Sequence, residues 1–302
     1  MPAKNVAYIS SLLILPALFV LFYAIRVLSD GNALSQTKWF TLSIIATMII
    51  LERLYKYRYA VSQKSVLVRD ISSTLVNLYV TGAVAGLIFL PVLAFFPEFF
   101  FGRNVFFAFS EQLGPFWLQV PVTMLLVSFF RYWMHRLQHK VPFLWELHSY
   151  HHGVTDLKAS NLLVSHPIDY ALRNVLVFTL LGLIGFNPFA ILIGVSAIRV
   201  TAAFSHCGGD VKGGIFNYIF VTPEVHRWHH SAIVPSGHRY SVNYGVGFVV
   251  WDLIFGTFHL PQKDGQPEQP ERIGHPGGLA DETNYLKLLL VPFGLNRLLP
   301  IS

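Results

Sequence analysis

Residues 134–153 read MHRLQHKVPFLWELHSYHHG and contain two closely spaced histidine motifs, H-x-x-x-H followed by H-x-x-H-H. A later stretch, EVHRWHHS at 224–231, repeats the second motif. Residues three and four apart share one face of a helix, so each motif is predicted to direct all its imidazoles at one target. The three motifs hold eight of the chain's 13 histidines, which are His135, His139, His148, His151, His152, His226, His229 and His230.

These motifs predict a metal centre. Imidazole is a common ligand of iron, copper, nickel and zinc. A lone histidine is more often a surface or capping residue, but three motifs at ligand spacing argue against that interpretation. Eight convergent ligands are too many for one tetrahedral or octahedral ion, which favours two metals. The lack of carboxylates disfavours magnesium and calcium, and a structural zinc needs only four ligands, so redox iron that activates O₂ fits best.

The composition is typical of a membrane protein. Hydrophobic residues make up 53% and charged residues 13% of the 302 residues, and the mean hydropathy is +0.50, far from soluble averages. The single cysteine, Cys207, excludes an internal disulfide and a cysteine-ligated zinc or iron–sulfur site. Basic residues flank the apolar runs, so the net charge of +6 indicates a membrane surface and no nucleic-acid partner.

Four apolar runs are predicted to cross the membrane. A cleaved signal peptide is the alternative for the first run, but no clear small-residue cleavage site follows it. The basic loop at 52–70 is predicted to be cytoplasmic, which puts the first histidine motif and both chain ends on that side. The four runs are 5–25, 37–55, 71–97 and 112–130.

A fifth apolar stretch, 174–198, decides whether the histidine motifs can meet. A single crossing of the membrane there would place the third motif on the opposite side from the first two. Gly185-Phe186-Asn187-Pro188 breaks the stretch into halves of about a dozen residues, each too short to cross. We therefore predict a re-entrant or in-plane hairpin that returns to the same side. The expected fold class is all-α, an integral membrane helical bundle of about four spans with this hairpin and a cytoplasmic histidine-rich cap that holds two metals.

Four further residues are candidates for the site. His206, in AFSHCGGD after the hairpin, is predicted to be a ninth ligand. Asp210 is predicted as an extra ligand or as a hydrogen-bond acceptor behind the ligands, although two glycines disfavour a continuous helix there. His166 precedes a proline at a helix start, where capping competes with a role at the site. His238 follows the third motif by eight residues and lies at the edge of the site or in a plain loop.

The motifs HRLQH, HSYHH and HRWHH, with SHPID between them and NYGVGFVVWDLIFGTF after them, resemble the fatty acid hydroxylase/sterol desaturase superfamily. The resemblance covers residues 113–261 and implies an integral membrane di-iron oxygenase. It implies that the eight motif histidines hold the irons, with His206 at the family's extra histidine position. Some members carry another histidine where this chain has Asp210. We expect membrane helices and a basic loop at 1–112, the catalytic domain at 113–261, and a polar loop with an interfacial helix at 262–302.

The resemblance further implies an O₂-dependent oxidoreductase that uses two iron ions to hydroxylate a C–H bond of a fatty acyl, sterol or related lipid. Desaturation is the alternative, and hydroxylation is favoured because it removes only one hydrogen. No catalytic residue is predicted beyond the metal ligands. No dinucleotide motif stands out and no fused cytochrome b5 domain is recognised, so electrons are expected from a separate cytochrome b5, ferredoxin or reductase. The predicted docking rim consists of Arg131, Arg136, Lys140, Arg227 and Arg239.

The expected location is the bacterial inner membrane or the endoplasmic reticulum, with several spans and a cytoplasmic active site. Two other classes of protein remain open from the residues alone. A zinc-dependent membrane hydrolase needs a catalytic carboxylate near the metals, and Asp169, Asp210 and Glu224 are the plausible suppliers. A metal carrier without catalytic activity would need charged side chains inside its spans, and the predicted spans hold almost none.

Overall fold

The computed structural model describes residues 33–54, 64–84, 113–277 and 285–294. The predicted helical class is confirmed in these ranges, where the only sheet is a hairpin of Gln262–Lys263 with Gln266–Pro267. The predicted span at 5–25, much of the one at 71–97 and both chain ends lie outside the described residues. The helices are α1 (Ala33–Leu54), α2 (Lys64–Leu75, continued by a π-helical turn at Val76–Thr81), α3 (Phe116–Lys140), α4 (Pro142–His152), α5 (Pro167–Ile184), α6 (Pro188–Ser205), α7 (Pro223–His229), α8 (Val250–Ile254) and α9 (Tyr285–Leu290), with 3₁₀ turns at Ala159–Asn161, Gly214–Tyr218 and Val291–Phe293.

The junction between α3 and α4 sets the angle between the first two histidine motifs. Val141 adopts an extended backbone, with φ −93° and ψ 118°, and this ends α3. A residue that precedes proline is sterically driven out of the helical region, and Pro142 then occupies the first position of α4, where its missing N–H has no helical partner to lose. The two helices therefore pack against each other rather than forming one long helix.

The break at 185–188 forms the predicted helical hairpin. Gly185 has a left-handed φ of +91° that closes α5, and the side chain of Asn187 accepts the backbone N–H of Phe189 to cap α6. Each arm is 18 residues long, so the predicted length of about a dozen residues is wrong. Charged residues such as Asp169 and Arg199 interrupt the apolar pattern near the outer ends of the arms, and the helices continue through them.

Within the described residues, α5 alone is long and apolar enough to cross a membrane by length and composition. Only 17% of its apolar window is buried, which is not the environment of a core helix in a soluble protein. The expectation that both hairpin arms are too short to cross is therefore wrong for α5. The described parts of the predicted spans at 37–55 and 112–130 are helical, in α1 and α3, but do not pass the same test. The four-span bundle and its cytoplasmic cap stay predictions.

Helix α6 is the centre of the packed core. One of its faces packs against α3 and α5 through buried residues such as Val127, Leu181 and Val195. Another face packs against α1, where Met48 and Phe204 are buried. The hairpin thus returns the chain to the end of α3 that carries the first histidine motif, and the end of α6 brings His206 beside it.

The close contact between α3 and α6 gives a first prediction. A Cβ atom at Gly194 would lie 2.5 Å from Thr123 Oγ1 and 3.1 Å from the backbone nitrogen of Met124, so a side chain would force the helices apart. We expect Gly194→Ala to lower the free energy of unfolding by about 1–3 kcal/mol and Gly194→Leu by more. Thermal unfolding in detergent measures this loss of stability. Gly82→Ala is the control, because among the described residues its Cβ would meet only the Asn77 carbonyl, at 3.7 Å. Equal melting temperatures for the Gly82 and Gly194 variants would contradict the prediction.

Candidate metal centre

Nine buried histidines converge near the C-terminal ends of α3, α4, α6 and α7. The C-terminal end of a helix carries partial negative charge, so four such ends create a field that favours cations. The nitrogens form two groups, and the ligand atoms within each group lie within 4.8 Å of one another. The first group comprises His135, His139, His148, His152 and His229, and the second comprises His151, His206, His226 and His230.

Each H-x-x-H-H motif is divided between the two groups. In α4 the residues at i and i+4, His148 and His152, belong to the first group, whereas His151 belongs to the second. The third motif does the reverse, because only its middle histidine, His229, belongs to the first group. The prediction that a motif directs all its imidazoles at one target is therefore wrong for the two H-x-x-H-H motifs, whereas His135 and His139 of the first motif do share one group. Adjacent helical residues point about 100° apart, so the neighbouring histidines at i+3 and i+4 reach different sites.

Backbone carbonyls fix the orientation of three of the imidazoles. His135 Nδ1 donates to the carbonyl of Tyr244 at 2.9 Å, and His229 Nδ1 donates to that of Val242 at 2.8 Å. His151 Nδ1 likewise donates to a carbonyl, at 2.9 Å. A carbonyl oxygen can only accept, so each of these nitrogens carries the proton and leaves Nε2 as the ligand atom.

Two side chains orient further histidines. His148 Nδ1 lies 3.5 Å from a carboxylate oxygen of Asp169. His206 Nδ1 donates to Asn161 Oδ1 at 3.2 Å, and this oxygen also accepts the backbone N–H of Lys158. Hydrogen bonds of this kind hold the ring and raise its basicity as a metal ligand.

The chemistry of the nitrogens fits bound cations. His135 Nε2 and His148 Nε2 lie 3.0 Å apart. The Nδ1 atom of each ring faces an oxygen acceptor and so carries the proton of the ring, which leaves a lone pair on each of the two facing Nε2 atoms. Two facing lone pairs repel unless a cation or a proton lies between them. Buried nitrogens without a hydrogen-bond partner among the described residues occur in both groups: His139 Nε2, His152 Nε2 and His229 Nε2 in the first, and His226 Nδ1 and both nitrogens of His230 in the second. Unsatisfied buried polar atoms are costly, and bound cations would satisfy these nitrogens, so the residues present fit a metal site.

Burial keeps the imidazoles in the neutral form that metals require. Burial lowers the pKa of His151 to about 4, with a further effect from Arg173, and lowers the pKa of His229 to about 4. Burial and the neighbouring histidines lower the pKa of His152 and His230 well below the usual value. At neutral pH both groups therefore offer lone pairs rather than positive charges.

The other three predicted site residues lie outside both groups. Asp210 forms an ion pair with Lys212 at 3.0 Å, and its side chain is 48% exposed. His166 caps α5 by accepting the N–H of Ile168. His238 lies in a loop with its ring 5.8 Å from that of His259.

A buried network around Asp252 supports the loop whose carbonyls orient His135 and His229. The carboxylate of Asp252 accepts the backbone N–H groups of Tyr244 at 2.7 Å and Gly245 at 2.8 Å, and the hydroxyl of Thr257 at 2.7 Å. The sequence motifs did not single out Asp252. The sole signal was its place in the NYG…WD…FGT segment, since the spacing of these residues does not reveal their contacts.

Removal of this carboxylate gives a second prediction. We expect Asp252→Ala to lower the free energy of unfolding by about 1–3 kcal/mol for each of the two backbone N–H groups that it leaves unpaired, whereas the Thr257 hydroxyl keeps its hydrogen bond with Tyr132. The variant should also bind metal more weakly, because the Tyr244 carbonyl loses its support. Thermal unfolding and metal content measure the two effects, and Glu271→Ala, at an exposed position, is the control. Unchanged metal content in a destabilised Asp252→Ala protein would show that the network does not position the ligands.

Two cavities reach the histidines from different sides. The larger, of about 340 Å³, touches the first group at His139, His152 and His229 and is also lined by Trp145 and Tyr240. The smaller, of about 80 Å³, is lined by histidines of both groups and by residues of α3, α5 and α6. Both groups are therefore accessible to small molecules despite their burial.

The fold and the site define a helical protein with two all-histidine groups suited to metal binding. Residues 120–257 match the family model described as fatty acid hydroxylase. This part of the chain is thus a fatty acid hydroxylase domain, so the resemblance seen in the motifs is confirmed. No solved structure matches the chain.

Several characterised proteins are similar to this chain. Ornithine lipid hydroxylase OlsE of Rhizobium tropici is 33% identical over 180 residues, which cover 59% of this chain and 51% of that protein. Sphinganine C4-monooxygenase 1 of Arabidopsis thaliana is 27% identical over 142 residues, or 46% of this chain and 54% of that protein. Alkylglycerol monooxygenase of Homo sapiens is 31% identical over 141 residues, which cover 44% of this chain and 28% of that protein. The matches thus span about half or less of each relative, and all three names are those of lipid hydroxylases or monooxygenases.

Proposed function

We propose that this chain is a membrane-bound, O₂-dependent oxidoreductase that uses two iron ions to hydroxylate a C–H bond of a lipid. The observation that carries the proposal is the pair of adjacent, buried, carboxylate-free histidine groups. The names of three relatives, a lipid hydroxylase and two monooxygenases, support this reaction class. Desaturation of a sterol or other lipid is the alternative, because the same site chemistry serves either outcome.

The histidines would hold one iron in each group. Iron bound there would supply the one-electron chemistry that O₂ activation requires. The chain's own residues fix the imidazole rings, and burial keeps these rings neutral. The residues that fix the rings are Asp169 and Asn161, through their side chains, and Tyr244, Val242 and Val164, through their carbonyls. Insertion of one oxygen atom into a C–H bond releases the other as water and consumes two electrons and two protons. A separate cytochrome b5, ferredoxin or reductase would supply these electrons.

Exposed apolar surface supports a lipid environment and a lipid substrate. The outer face of α3 exposes Trp117 at 73% and Leu125 at 46%, and helix α2 exposes Val68 at 57% and Ile71 at 50%. Apolar patches of this kind on a folded chain indicate contact with a membrane or a partner. We infer that these helices and α5 lie in the membrane, with the histidines on its cytoplasmic side.

A zinc hydrolase is disfavoured by the positions of its possible acid–base carboxylates. Glu224 accepts the backbone N–H of Gly213 at 2.8 Å and the side-chain amide of Asn217 at 2.9 Å, and Asp210 pairs with Lys212. Asp169 supports a histidine from behind. None of these three carboxylates belongs to either ligand group.

Metal analysis combined with an oxygen-uptake assay tests the proposal. We expect about two iron ions per chain and O₂ consumption when a lipid extract and a reductant are supplied. Mass spectrometry of the products should find a lipid heavier by one oxygen atom, labelled when ¹⁸O₂ is used. Zinc in place of iron, with lipid turnover under anaerobic conditions, would contradict the proposal and favour a hydrolase. A lipid lighter by two hydrogens would favour desaturation.

A further inference from the structure

Three arginines line the smaller cavity, one each from α3, α5 and α6. They are Arg131, Arg173 and Arg199. The same cavity is lined by His135 of the first group and by three histidines of the second: His151, His206 and His226. A cluster of cations therefore shares one small space with both histidine groups.

These arginines have few negative partners. Arg173 pairs with Asp169 at 2.9 Å, but that carboxylate also contacts His148 and Gln138. In the described part of the chain, the recorded side-chain partners of the other two are neutral: Arg131 donates to Asn174 Oδ1 at 3.0 Å, and Arg199 donates to Thr41 Oγ1 at 3.1 Å. The Nε atom of Arg131 is buried and has no hydrogen-bond partner among the described residues. Among the described residues, these three positive charges thus share a single carboxylate.

This arrangement is unfavourable unless an anion completes it. Both Arg173 and Arg199 repel Arg131, and these half-buried charges are costly to hold together without partners of opposite sign. Charged residues among apolar membrane-type helices are rare and usually mark a binding site or an ion pathway.

Sequence reasoning placed Arg131 and Arg227 on a docking rim for an electron donor. Instead, Arg131 faces the cavity, and Arg227 is only 2% exposed and donates to the Gly209 carbonyl, so neither belongs to an exposed rim.

We propose that Arg131, Arg173 and Arg199 bind an oxyanion, a carboxylate or a phosphate, that belongs to the lipid substrate. The guanidinium group suits this role because its planar N–H donors match the oxygens of both anions. A volume of about 80 Å³ holds a small polar group rather than an acyl chain. The C–H bond that reacts therefore lies within a few bonds of the oxyanion. This inference rests on the proposed lipid hydroxylation and adds the chemical class of the substrate.

Binding of three lipids with the same oleyl-type chain tests the inference. Oleic acid supplies a carboxylate, oleoyl lysophosphatidic acid supplies a phosphate, and oleyl alcohol is the neutral match. With the purified full chain in a nonionic detergent, we expect at least one of the two acids to bind about tenfold more tightly than the alcohol. The acid that binds more tightly identifies the headgroup chemistry.

Substitutions then locate the site. Arg131→Gln and Arg199→Gln should each weaken binding of the preferred acid about tenfold and leave binding of the alcohol unchanged. Arg131→Lys should retain part of the preference, because it keeps the charge but loses the planar donors. Arg272→Gln, which changes an exposed arginine outside both cavities, is the matched control and should bind like wild type.

Two outcomes would overturn the inference: wild-type protein that binds the alcohol as tightly as both acids, or glutamine variants that keep the full preference for an acid. The wild-type comparison is decisive even if a glutamine variant fails to fold. The assay needs no turnover, so its failure would leave the iron and O₂ results intact. Conversely, acid-selective binding without O₂ uptake would contradict the proposed oxygenation but not the anion site.

Discussion

The double variant His151→Ala/His226→Ala is expected to retain about one metal ion per chain and to have no detectable turnover. These histidines come from different motifs but from the same group, so their loss leaves two ligands in the second group and all five in the first. Two protein ligands without further support do not hold a divalent ion tightly, whereas five do. Metal content after dialysis measures the result, and the triple variant His139→Ala/His148→Ala/His229→Ala, which leaves two ligands in the first group, should likewise lose only one ion. The combined quintuple variant should retain almost none.

The control for this experiment is His238→Ala/His259→Ala. These two histidines are as close together as many ligand pairs, with ring centroids 5.8 Å apart, but belong to neither group. The control should bind two ions and turn over normally. If each motif instead served one ion, His151→Ala/His226→Ala would take one ligand from each site and weaken both ions equally. That result would refute the division described here.

Asp169→Asn is expected to weaken metal binding in the first group about 10–100-fold. Asparagine keeps the shape of the side chain but removes the negative charge that lies 3.5 Å from His148 Nδ1 and pairs with Arg173 at 2.9 Å. Without this charge the imidazole becomes a poorer ligand, and the arginine cluster becomes more positive beside the ions. Titration of the metal-depleted protein with Co²⁺ against a competing chelator measures the loss.

Asp210→Asn provides the comparison. Its carboxylate pairs with a lysine and is 48% exposed, so the substitution should not change Co²⁺ affinity in either group. If Asp210→Asn lost as much affinity as Asp169→Asn, Asp210 would be the acidic residue that supports the site. The two variants thus test whether the site is supported by Asp210, which is close to His206 in the sequence, or by Asp169, which is close to His148 in the structure.

The spacing of the histidines predicted which residues meet but not how they divide. Helical periodicity places His148, His151 and His152 on a broad common face, and a single site in front of that face was the simplest interpretation. Two sites lie there instead, and the roughly 100° between His151 and His152 separates them. That division depends on where α7 lies against α4, which local spacing does not encode.

Long-range hydrogen bonds explain most of what sequence reasoning missed. Asp169 and Asp252 look like ordinary charges within apolar segments, yet Asp169 reaches a histidine 21 residues away. Conversely, Asp210 seemed close to the site because it follows His206 by four residues, but the chain after His206 is not helical and turns the carboxylate toward Lys212. The hairpin was predictable because glycine, asparagine and proline act locally at the break. Its arm lengths were not, because packing carries both helices through charged residues.

The bond between His135 and the Tyr244 carbonyl joins positions 109 residues apart and has a consequence for biosynthesis. Helix α3 leaves the ribosome and enters its surroundings long before residue 244 has been translated. During that interval His135 lacks the acceptor that fixes its tautomer, and His229 has not yet been made. A nascent chain therefore cannot complete either ligand group, or fix the tautomer of His135, until the segment from His226 to Tyr244 has been translated.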